Sequence, residues 1–270
     1  MIVTVVTPTF NAVHYLDECM QSVAAQTGAG LTVEHIVVDG GSSDGTVDLA
    51  RTRASKVLEG PDDGVYDADN KGAAASSGEL IGFLGSDDLL LPGALAAVVR
   101  RFEADRRPLL VGGLRWIDAE GKSLGDIAPP PPWMTRNMMA ALGWCYMGHM
   151  ATFVTRELFD DIGGFDTAFK IAGDYDFLCK ALARAPWSRV PETIACFRRT
   201  GANLSMSSPR QSDEYRMVAE RHASRSPVVR AFERQSLRLY ANARNPRWAI
   251  RKQVDAFRSP GADAAADSAH

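Results

Sequence analysis

The sequence predicts an α/β protein built on a mainly parallel β-sheet flanked by helices. Apolar, β-branched runs typical of buried strands recur over about the first hundred residues, beginning with Ile2–Thr7. Segments with apolar residues at helical spacing alternate with them, as in Ala12–Gln26. This alternation places helices on both faces of the sheet and gathers the carboxyl ends of the strands at one edge.

Each further element of the first half has a local signal: turn residues precede a helix, and an apolar run forms a strand. In chain order these are a strand over Thr32–Val38, a helix from Thr46, a short strand near Lys56–Leu58, a helix over Val65–Ser77, a strand over Glu79–Leu84 and a helix over Leu91–Phe102. Polar loops follow three strands directly, at Thr7–Thr9, Asp39–Asp44 and Ser86–Asp88. We expect these loops to converge at the ligand-binding edge of the sheet.

The pattern is less regular after residue 105. Here we predict strands at Leu109–Leu114, Trp116–Asp118, Met150–Thr155 and Thr193–Arg198, with a helix over Asp174–Ala183. Residues 210–258 are predicted to form a C-terminal helical extension, broken around Pro227 and Pro246. Residues 259–270 are predicted to be a disordered tail. The body is therefore residues 1–209, with halves of about 1–105 and 106–209.

Composition excludes several classes of protein. The chain is 46% hydrophobic and 23% charged, and no stretch reaches the ~20 apolar residues of a membrane span. Its first residues lack the basic leader of a signal peptide. The four cysteines are scattered, which favours reduced thiols over a zinc site or a disulfide framework. We therefore expect a cytoplasmic protein.

Two adjacent acids, Asp87 and Asp88, directly follow an apolar strand. Like charges repel, and their removal from water costs free energy unless a cation or hydrogen-bond donors compensate. One interpretation is that either acid caps the helix near Pro92. Their position at the edge of a parallel sheet favours the other, a Mg²⁺ or Mn²⁺ site that bridges carboxylates to the phosphates of a substrate.

Five motifs occur in a fixed order over residues 1–205: VVTPTFN, VVDGGSSDGT, GVYDADNKG, GELIGFLGSDDLLLPGAL and GGFDTAFKIAGDYDFLCKAL. Together they resemble the family 2 glycosyltransferases of the GT-A fold, and in particular the bacterial enzymes that build surface polysaccharides and glycolipids. The resemblance implies a nucleoside-diphosphate sugar donor bound by the first half. It also implies a glycan or lipid-linked acceptor bound by the second half, and it leaves a homo-oligomer open.

The resemblance assigns roles to residues of the first half. Asp88 would ligate Mn²⁺ or Mg²⁺, and Asp87 would contact the ribose or the metal shell. Asp39 would face the nucleobase, although Gly40 stands where the family's VDDGS has a second acid. Lys71 would neutralise the diphosphate, or else is a solvated helix charge. The other implied donor contacts are Thr7, Pro8, Thr9, Asp63 and Asn70.

Asp174, in the motif GDYDF, matches the catalytic base of the family; the alternative is a helix cap, with Asp176 as a first-turn acid. A single base without a protein nucleophile implies inversion, because the acceptor hydroxyl attacks opposite the leaving diphosphate. Candidate substrate contacts are His149, Arg198 and Arg199, for which a structural histidine and exposed rim charges are the alternatives. Trp133, Trp144 and Tyr146 form either an acceptor platform or part of the core.

The charge distribution is uneven. The net charge is −3, yet residues 216–258 carry eleven Arg or Lys against three acids. We hypothesise that this basic stretch docks on the anionic inner face of the plasma membrane, where lipid-linked acceptors reside; packing on the body or a dimer contact is the alternative.

Two rival functions are a sugar-1-phosphate nucleotidyltransferase and an inactive sugar-nucleotide-binding scaffold. A nucleic-acid partner is disfavoured, because the body is acidic and no binding motif is present.

Overall fold

A mixed β-sheet with helices packed against it organises the chain. The computed structural model describes residues 1–143, 145–201, 203, 210–224 and 226–244. The strands in those ranges are β1 (Ile2–Thr9), β2 (Thr32–Asp39), β3 (Lys56–Glu59), β4 (Leu80–Phe83), β5 (Leu89–Leu90), β6 (Leu109–Ile117), β7 (Ser123–Ile127), β8 (Thr152–Thr155) and β9 (Trp187–Arg198). The helices are α1 (Val13–Ala24), α2 (Thr46–Arg51), α3 (Val65–Ala75), α4 (Ala94–Asp105), α5 (Arg136–Leu142), α6 (Arg156–Ile162), α7 (Gly173–Arg184), α8 (Gln211–His222) and α9 (Pro227–Arg244), with a 3-10 turn at His149–Ala151.

The strand order is β3-β2-β1-β4-β8-β6-β9-β5, and β7 pairs with β6. Strands β3, β2, β1 and β4 pair with one another in parallel, as predicted, with Thr9 opposite Asp39 at the carboxyl edge. The second half of the sheet is mixed: β8 runs antiparallel to both β4 and β6, and β5 runs antiparallel to β9. The predicted α/β fold with flanking helices is therefore confirmed, and its parallel pairs are those among β3, β2, β1 and β4 and the pair of β6 with β9.

Helices cover both faces of the sheet. The strands carry apolar side chains on both sides, and these are buried under the helices. On one face, Val6 and Ile81 pack in a buried cluster with Tyr175 of α7. On the other face, Val5 and Leu80 belong to a second cluster, which includes residues of α1 and α4. The strands are longer than predicted in the second half, since β6 unites two predicted strands and β9 begins at Trp187 rather than Thr193.

The C-terminal helices pack on the body as two separate elements. Pro227 is the first residue of α9, so the predicted break is confirmed; a proline fits the first turn of a helix, where its missing N–H costs nothing. Val218 of α8 and Leu237 of α9 are buried. No helix in the described ranges is long and apolar enough to cross a membrane. Trp144, the predicted break at Pro246 and the predicted tail at 259–270 lie outside the described residues.

Candidate active site

A cleft of about 520 Å³ opens at the edge of the sheet where β1 and β4 end. Asp87 and Asp88 line it together with Asp174, and Pro8 and His149 also contribute to its wall. Three acids from distant parts of the sequence therefore share one cavity. The turn GSDD after β4 brings the first two, and the start of α7 brings the third.

Asp87 and Asp88 present one carboxylate oxygen each to the same small space. Asp88 Oδ1 accepts a hydrogen bond from the backbone N of Arg198 at 2.9 Å, and Asp87 Oδ2 accepts one from Asn203 Nδ2 at 3.1 Å. The other two oxygens both lie near Gly85, where a Cβ would be 2.8 Å from Asp88 Oδ2 and 3.1 Å from Asp87 Oδ1. Glycine at this position therefore leaves room for both carboxylates.

The environment makes this acid pair costly without a cation. Burial raises the pKa of Asp88 well above its usual range, and the charge of Asp87 raises it further against the opposing effect of Arg198. Burial also raises the pKa of Asp87, which Arg198 lowers in part. Paired carboxylate oxygens fit Mg²⁺ or Mn²⁺. The described residues contain no cluster of three or more His, Cys, Asp or Glu side chains that could hold a metal ion, so water or substrate phosphates would complete the coordination.

Arg198 is hydrogen-bonded to both residues of the acid pair. Its side chain is 2% exposed, and its guanidinium donates to the carbonyl of Asp87 at 2.9 Å and to Glu18 Oε2 at 2.5 Å. A third bond, to Ala119, occupies the remaining amine. The expectation that Arg198 reaches over an open cleft is therefore wrong for this structure. Arg199 is exposed, with its guanidinium 5.4 Å from the ring of Trp116.

Asp174 stands at the other side of the cleft, in the first turn of α7. Its Oδ1 lies 3.0 Å from the hydroxyl of Tyr66 and accepts the backbone N–H of Tyr175 at 2.8 Å. Oδ2 has no hydrogen-bond partner among the described residues. Gly173 makes this arrangement possible, because a Cβ there would lie 2.6 Å from the ring of Tyr66. One oxygen of Asp174 is thus fixed and the other is available to a ligand.

Asp176, two residues further on, faces away from the cleft and is fully buried against α8. Its carboxylate lies 3.0 Å from Arg221, 2.8 Å from His222 and 2.6 Å from Lys180. Burial raises the pKa of this group, but the hydrogen bonds of His222 and Lys180 and the charges around it outweigh burial and lower the value to about 2. Asp176 therefore joins α7 to α8 and takes no part in the cleft.

His149 lines the cleft, and its imidazole pairs with the buried carboxylate of Asp69. His149 stacks on Phe83 at 5.3 Å, and its Nε2 lies 3.1 Å from Asp69 Oδ2. Burial lowers the pKa of His149, but the hydrogen bond and charge of Asp69, together with the charge of Asp174, outweigh it and raise the value. Sequence reasoning missed Asp69. Its signal was an acid on the face of α3 that also carries the buried residues Tyr66 and Ala73.

The three residues predicted to line a nucleotide pocket lie in different places. Pro8 lines the cleft, whereas Thr7 is buried with its hydroxyl 2.9 Å from His35 Nε2. Thr9 donates to Asp39 Oδ2 at 3.1 Å, and Asp39 also accepts bonds from the 41–42 loop. The carboxylate of Asp39 therefore builds the loop at the end of β2.

Gly40, which replaces the second acid of the family motif, lies against another carboxylate. A Cβ at this position would be 2.6 Å from Asp62 Oδ2. Asp62 comes from the turn before α3, and its other oxygen accepts the backbone N–H of Gly64 at 2.9 Å. Asp62 thus fills the space beside Asp39 that a side chain at 40 would need. The sequence analysis missed it, because the two turns are separate in the chain.

Asp63, Asn70 and Lys71 do not line the cleft, contrary to expectation. The side-chain amide of Asn70 makes two 2.9 Å bonds with the backbone of Phe165 and so ties α3 to the loop before α7. Lys71 pairs with Asp67 at 2.8 Å and donates to a backbone carbonyl. The backbone carbonyl of Asp63 accepts from Lys170 at 2.6 Å. These residues position the walls of the site instead.

The aromatic residues considered for an acceptor platform also separate. Tyr146 is buried and lines the cleft, so its ring faces the site. Trp133 is exposed and packs against Tyr240 of α9, with ring centroids 5.8 Å apart. Only Tyr146 of these two remains a candidate contact for the acceptor.

Comparison with known proteins agrees with the geometry. The family described as glycosyl transferase family 2 matches residues 4–163. A PGL/p-HBAD biosynthesis glycosyltransferase of Mycobacterium bovis is 31% identical over 182 residues, which cover 64% of this chain and 67% of the relative. An uncharacterized glycosyltransferase of Mycobacterium tuberculosis is 33% identical over 198 residues, which cover 72% of each chain.

Two solved structures share the fold. Staphylococcus aureus TarS (residues 1–349), in complex with UDP-GlcNAc, has a TM-score of 0.65 at 19% identity over 88% of this chain and 71% of that one. The mannosyltransferase PcManGT of Pyrobaculum calidifontis, in complex with GDP-Man and Mn²⁺, has a TM-score of 0.55 at 20% identity over 99% and 75%. None of these matches supports the rival nucleotidyltransferase. The chain belongs to glycosyltransferase family 2.

Proposed function

We propose that this chain is an inverting, metal-dependent glycosyltransferase that moves a sugar from a nucleoside-diphosphate sugar to an acceptor hydroxyl. The observation that carries the proposal is the shared cleft, which has the acid pair Asp87 and Asp88 in one wall and Asp174 in another. The acid pair suits a cation and a diphosphate, and Asp174 suits an attacking hydroxyl. Both halves of an inverting displacement thus have a candidate group in one cavity.

Asp174 acts as the general base. Tyr66 and the backbone of Tyr175 hold Oδ1, so Oδ2 accepts the proton of the acceptor hydroxyl as that hydroxyl attacks the anomeric carbon. Attack opposite the leaving diphosphate inverts the anomeric centre, and a single base requires no covalent intermediate. Tyr146 and His149 line the same cavity and border the sugar or the acceptor.

Asp87 and Asp88 would hold the divalent cation, and Gly85 leaves space beside their carboxylates. Bound Mn²⁺ or Mg²⁺ would supply Lewis-acid stabilisation of the negative charge on the leaving diphosphate. The chain contributes rigidity, because Arg198 fixes one acid by its backbone N and the other by a bond to its carbonyl. These two bonds fix the position of the loop that carries both acids.

The donor and acceptor classes are inferred from the relatives. The TarS and PcManGT complexes hold UDP-GlcNAc and GDP-Man, so we infer a nucleotide sugar here. The name of the Mycobacterium bovis relative refers to PGL/p-HBAD biosynthesis. We infer a glycan or lipid-linked acceptor, used in cell-surface polysaccharide or glycolipid biosynthesis in the cytoplasm at the inner face of the plasma membrane.

The outer face of α9 supports the membrane hypothesis. Val228, Phe232 and Leu239 are 78%, 70% and 60% exposed and lie on one side of the helix. Arg238 is exposed beside Leu239, so the helix combines apolar side chains with a basic charge, as interfacial helices do. We therefore assign anionic lipid as the partner of this face. The inner face packs on the body, where Tyr240 donates to the carbonyl of Pro129 at 3.0 Å.

The catalytic proposal is tested with a panel of UDP- and GDP-sugars, with Mn²⁺ or Mg²⁺, by measuring nucleotide release. Asp174→Asn is expected to lose at least about 100-fold in turnover while it keeps metal-dependent binding of the nucleotide. Asp88→Ala is expected to lose that binding. Asp48→Asn is the matched control, because this acid is exposed and lies outside the cleft. Near-normal turnover in Asp174→Asn would refute the base, and nucleotide binding without any turnover in the wild type would indicate an inactive scaffold.

The membrane proposal is tested by flotation of the full chain with phosphatidylglycerol vesicles. The double variant Phe232→Glu and Leu239→Glu is expected to lose binding, and neutral phosphatidylcholine vesicles are expected to bind little of either protein. Equal flotation of the wild type and the variant would contradict the assignment. Deletion of everything after residue 210 is unsuitable as a test, because Val218 of α8 is buried in the body.

A further inference from the structure

The loop before α7 turns three successive backbone N–H groups toward one carboxylate. Glu214 Oε2 accepts from the backbone N atoms of Lys170, Ile171 and Ala172 at 3.0, 2.7 and 3.0 Å. Glu214 belongs to α8 and is buried. The residue before α7, Ala172, has no side chain that could cap the helix. A carboxylate from another helix therefore satisfies these donors, and they in turn compensate for its removal from water.

The same peptide units lead directly to Asp174. The N–H of Ile171 is held by Glu214, and its carbonyl accepts the hydroxyl of Tyr66 at 2.7 Å. Asp174 Oδ1 lies 3.0 Å from the same hydroxyl, so the carbonyl and the carboxylate share its single proton. Residue 171 is therefore hydrogen-bonded through both its N–H and its carbonyl. The Tyr66 hydroxyl, which binds the carbonyl, also contacts Asp174.

Helix α8 is also part of the cavity. Gln211 and Tyr215, on the same side of α8 as Glu214, line the cleft together with Ile171 and Asp174. The ring of Tyr215 packs edge-on against Tyr175, with centroids 5.6 Å apart. Glu214 thus lies at the point where the C-terminal extension meets the aspartate-bearing loop.

We propose that Glu214 is a positioning residue for Asp174. By holding the backbone of 170–172, it sets the place of Tyr66 and Ile171 and so aims Asp174 Oδ2 into the cleft. The inference rests on the proposed role of Asp174 as the base. By this proposal, helix α8 of the C-terminal extension is required for the catalytic arrangement and is more than a basic segment attached to the body.

The alternative is that Glu214 merely attaches α8 to the body. Attachment has a second, separate set of contacts, in which His222 and Arg221 bind Asp176 on α7. His222→Ala weakens attachment and leaves the carboxylate and its three donors intact. Glu220→Gln is the matched charge control, since Glu220 is exposed on the same helix.

The test compares Glu214→Gln with both controls and with Asp174→Asn. Glutamine has nearly the same shape, but it removes the negative charge that the three N–H groups face, and it places an NH₂ donor where Glu214 Oε1 accepts from the backbone N of Lys170 at 3.1 Å. With the nucleotide sugar that the wild type hydrolyses fastest, we expect Glu214→Gln to lose about 10- to 100-fold in kcat, with the donor KM within about twofold. His222→Ala and Glu220→Gln are expected to stay within about threefold of wild-type kcat. Hydrogen exchange of the amides of 170–172 is expected to rise at least about tenfold in Glu214→Gln alone.

The outcomes separate the two proposals. Wild-type turnover in Asp174→Asn would refute the base, whatever Glu214 does. Loss of turnover in Asp174→Asn with normal kcat in Glu214→Gln would overturn the positioning role alone. An equal loss of kcat in His222→Ala, or unchanged amide exchange in Glu214→Gln, would also overturn it.

Discussion

Two buried carboxylates of this chain, Asp88 and Asp176, have pKa values displaced in opposite directions. Asp176 is surrounded by Arg221, His222 and Lys180, and its pKa falls to about 2. Asp88 is buried beside a second acid, and its pKa rises well above the usual range. Both side chains are buried.

The difference separates an acid whose charge the chain compensates from one whose charge it leaves largely uncompensated. Asp176 has cationic partners within the chain, so its charge stabilises the fold. Asp88 has one backbone donor and the neighbouring charge of Asp87, and burial outweighs the opposing effect of Arg198, so its ionised form costs free energy in the fold. Burial of an acid alone does not indicate function; the balance of charge around it does. Four predictions test this comparison.

Replacement of Asp176 is expected to have the largest effect on stability. Asp176→Ala leaves Lys180, Arg221 and His222 without their shared carboxylate and removes the link between α7 and α8. We expect the free energy of unfolding to fall by about 3 kcal/mol, measured by urea denaturation. A loss below about 1 kcal/mol would show that the ion cluster is not structural.

The contribution of Asp176 to the free energy of unfolding should also depend on pH. Its folded pKa of about 2 lies below the ordinary value of 3.8, so its stabilisation is complete above about pH 4 and is lost as the pH falls through about 2. The difference in free energy of unfolding between wild type and Asp176→Asn should therefore shrink between about pH 4 and pH 2. Urea denaturation of both proteins over this range checks it, and a constant difference would contradict the shift.

Asp88→Asn is expected to have the opposite sign. A folded pKa above the unfolded one means that stability falls as the pH rises and the group ionises, so neutralisation at pH 7 removes a cost. Without metal, we expect this variant to be more stable than the wild type by about 1 kcal/mol in thermal denaturation. Its melting temperature should no longer respond to Mn²⁺ with UDP or GDP. A lower melting temperature for Asp88→Asn than for the wild type would show that Asp88 stabilises the fold, as Asp176 does.

The smallest effect concerns the wall of the cleft. Asp69→Asn is expected to lower the pKa of His149, because the hydrogen bond and charge of Asp69 oppose the effect of burial. Proton NMR of the imidazole C–H groups over pH 5 to 8 measures it. The imidazole signal of His14, which is exposed and lies outside the cleft, is the internal control. An unchanged pKa for His149 would show that Asp69 does not set its charge.

Much of the first half was predictable, because its signals are local. The β-branched run of β1 and the turn residues after β2 define elements through neighbours in the sequence. The acid pair was recognisable because two carboxylates after an apolar strand conflict with burial. In this half, short-range chemistry and the final fold agree.

The supporting contacts were not predictable, because they join segments far apart in the chain. Asn70 binds Phe165 across 95 positions, and Arg198 binds Asp87 across 111. Nothing in the sequence near Asn70 or Arg198 distinguishes a side chain that braces the site from one that contacts substrate. The burial of Arg198 and the cross-helix role of Glu214 therefore required the structure.

The three N–H groups that meet Glu214 also bear on protein engineering. A boundary drawn at residue 209, as the composition indicates, would separate this carboxylate from its donors on the loop before α7. A chimera that takes residues 1–209 from this chain and its C-terminal segment from a relative without that glutamate would inherit the aspartate but not its support. A segment exchanged between relatives therefore has to include α8 together with the loop and helix α7 that it holds.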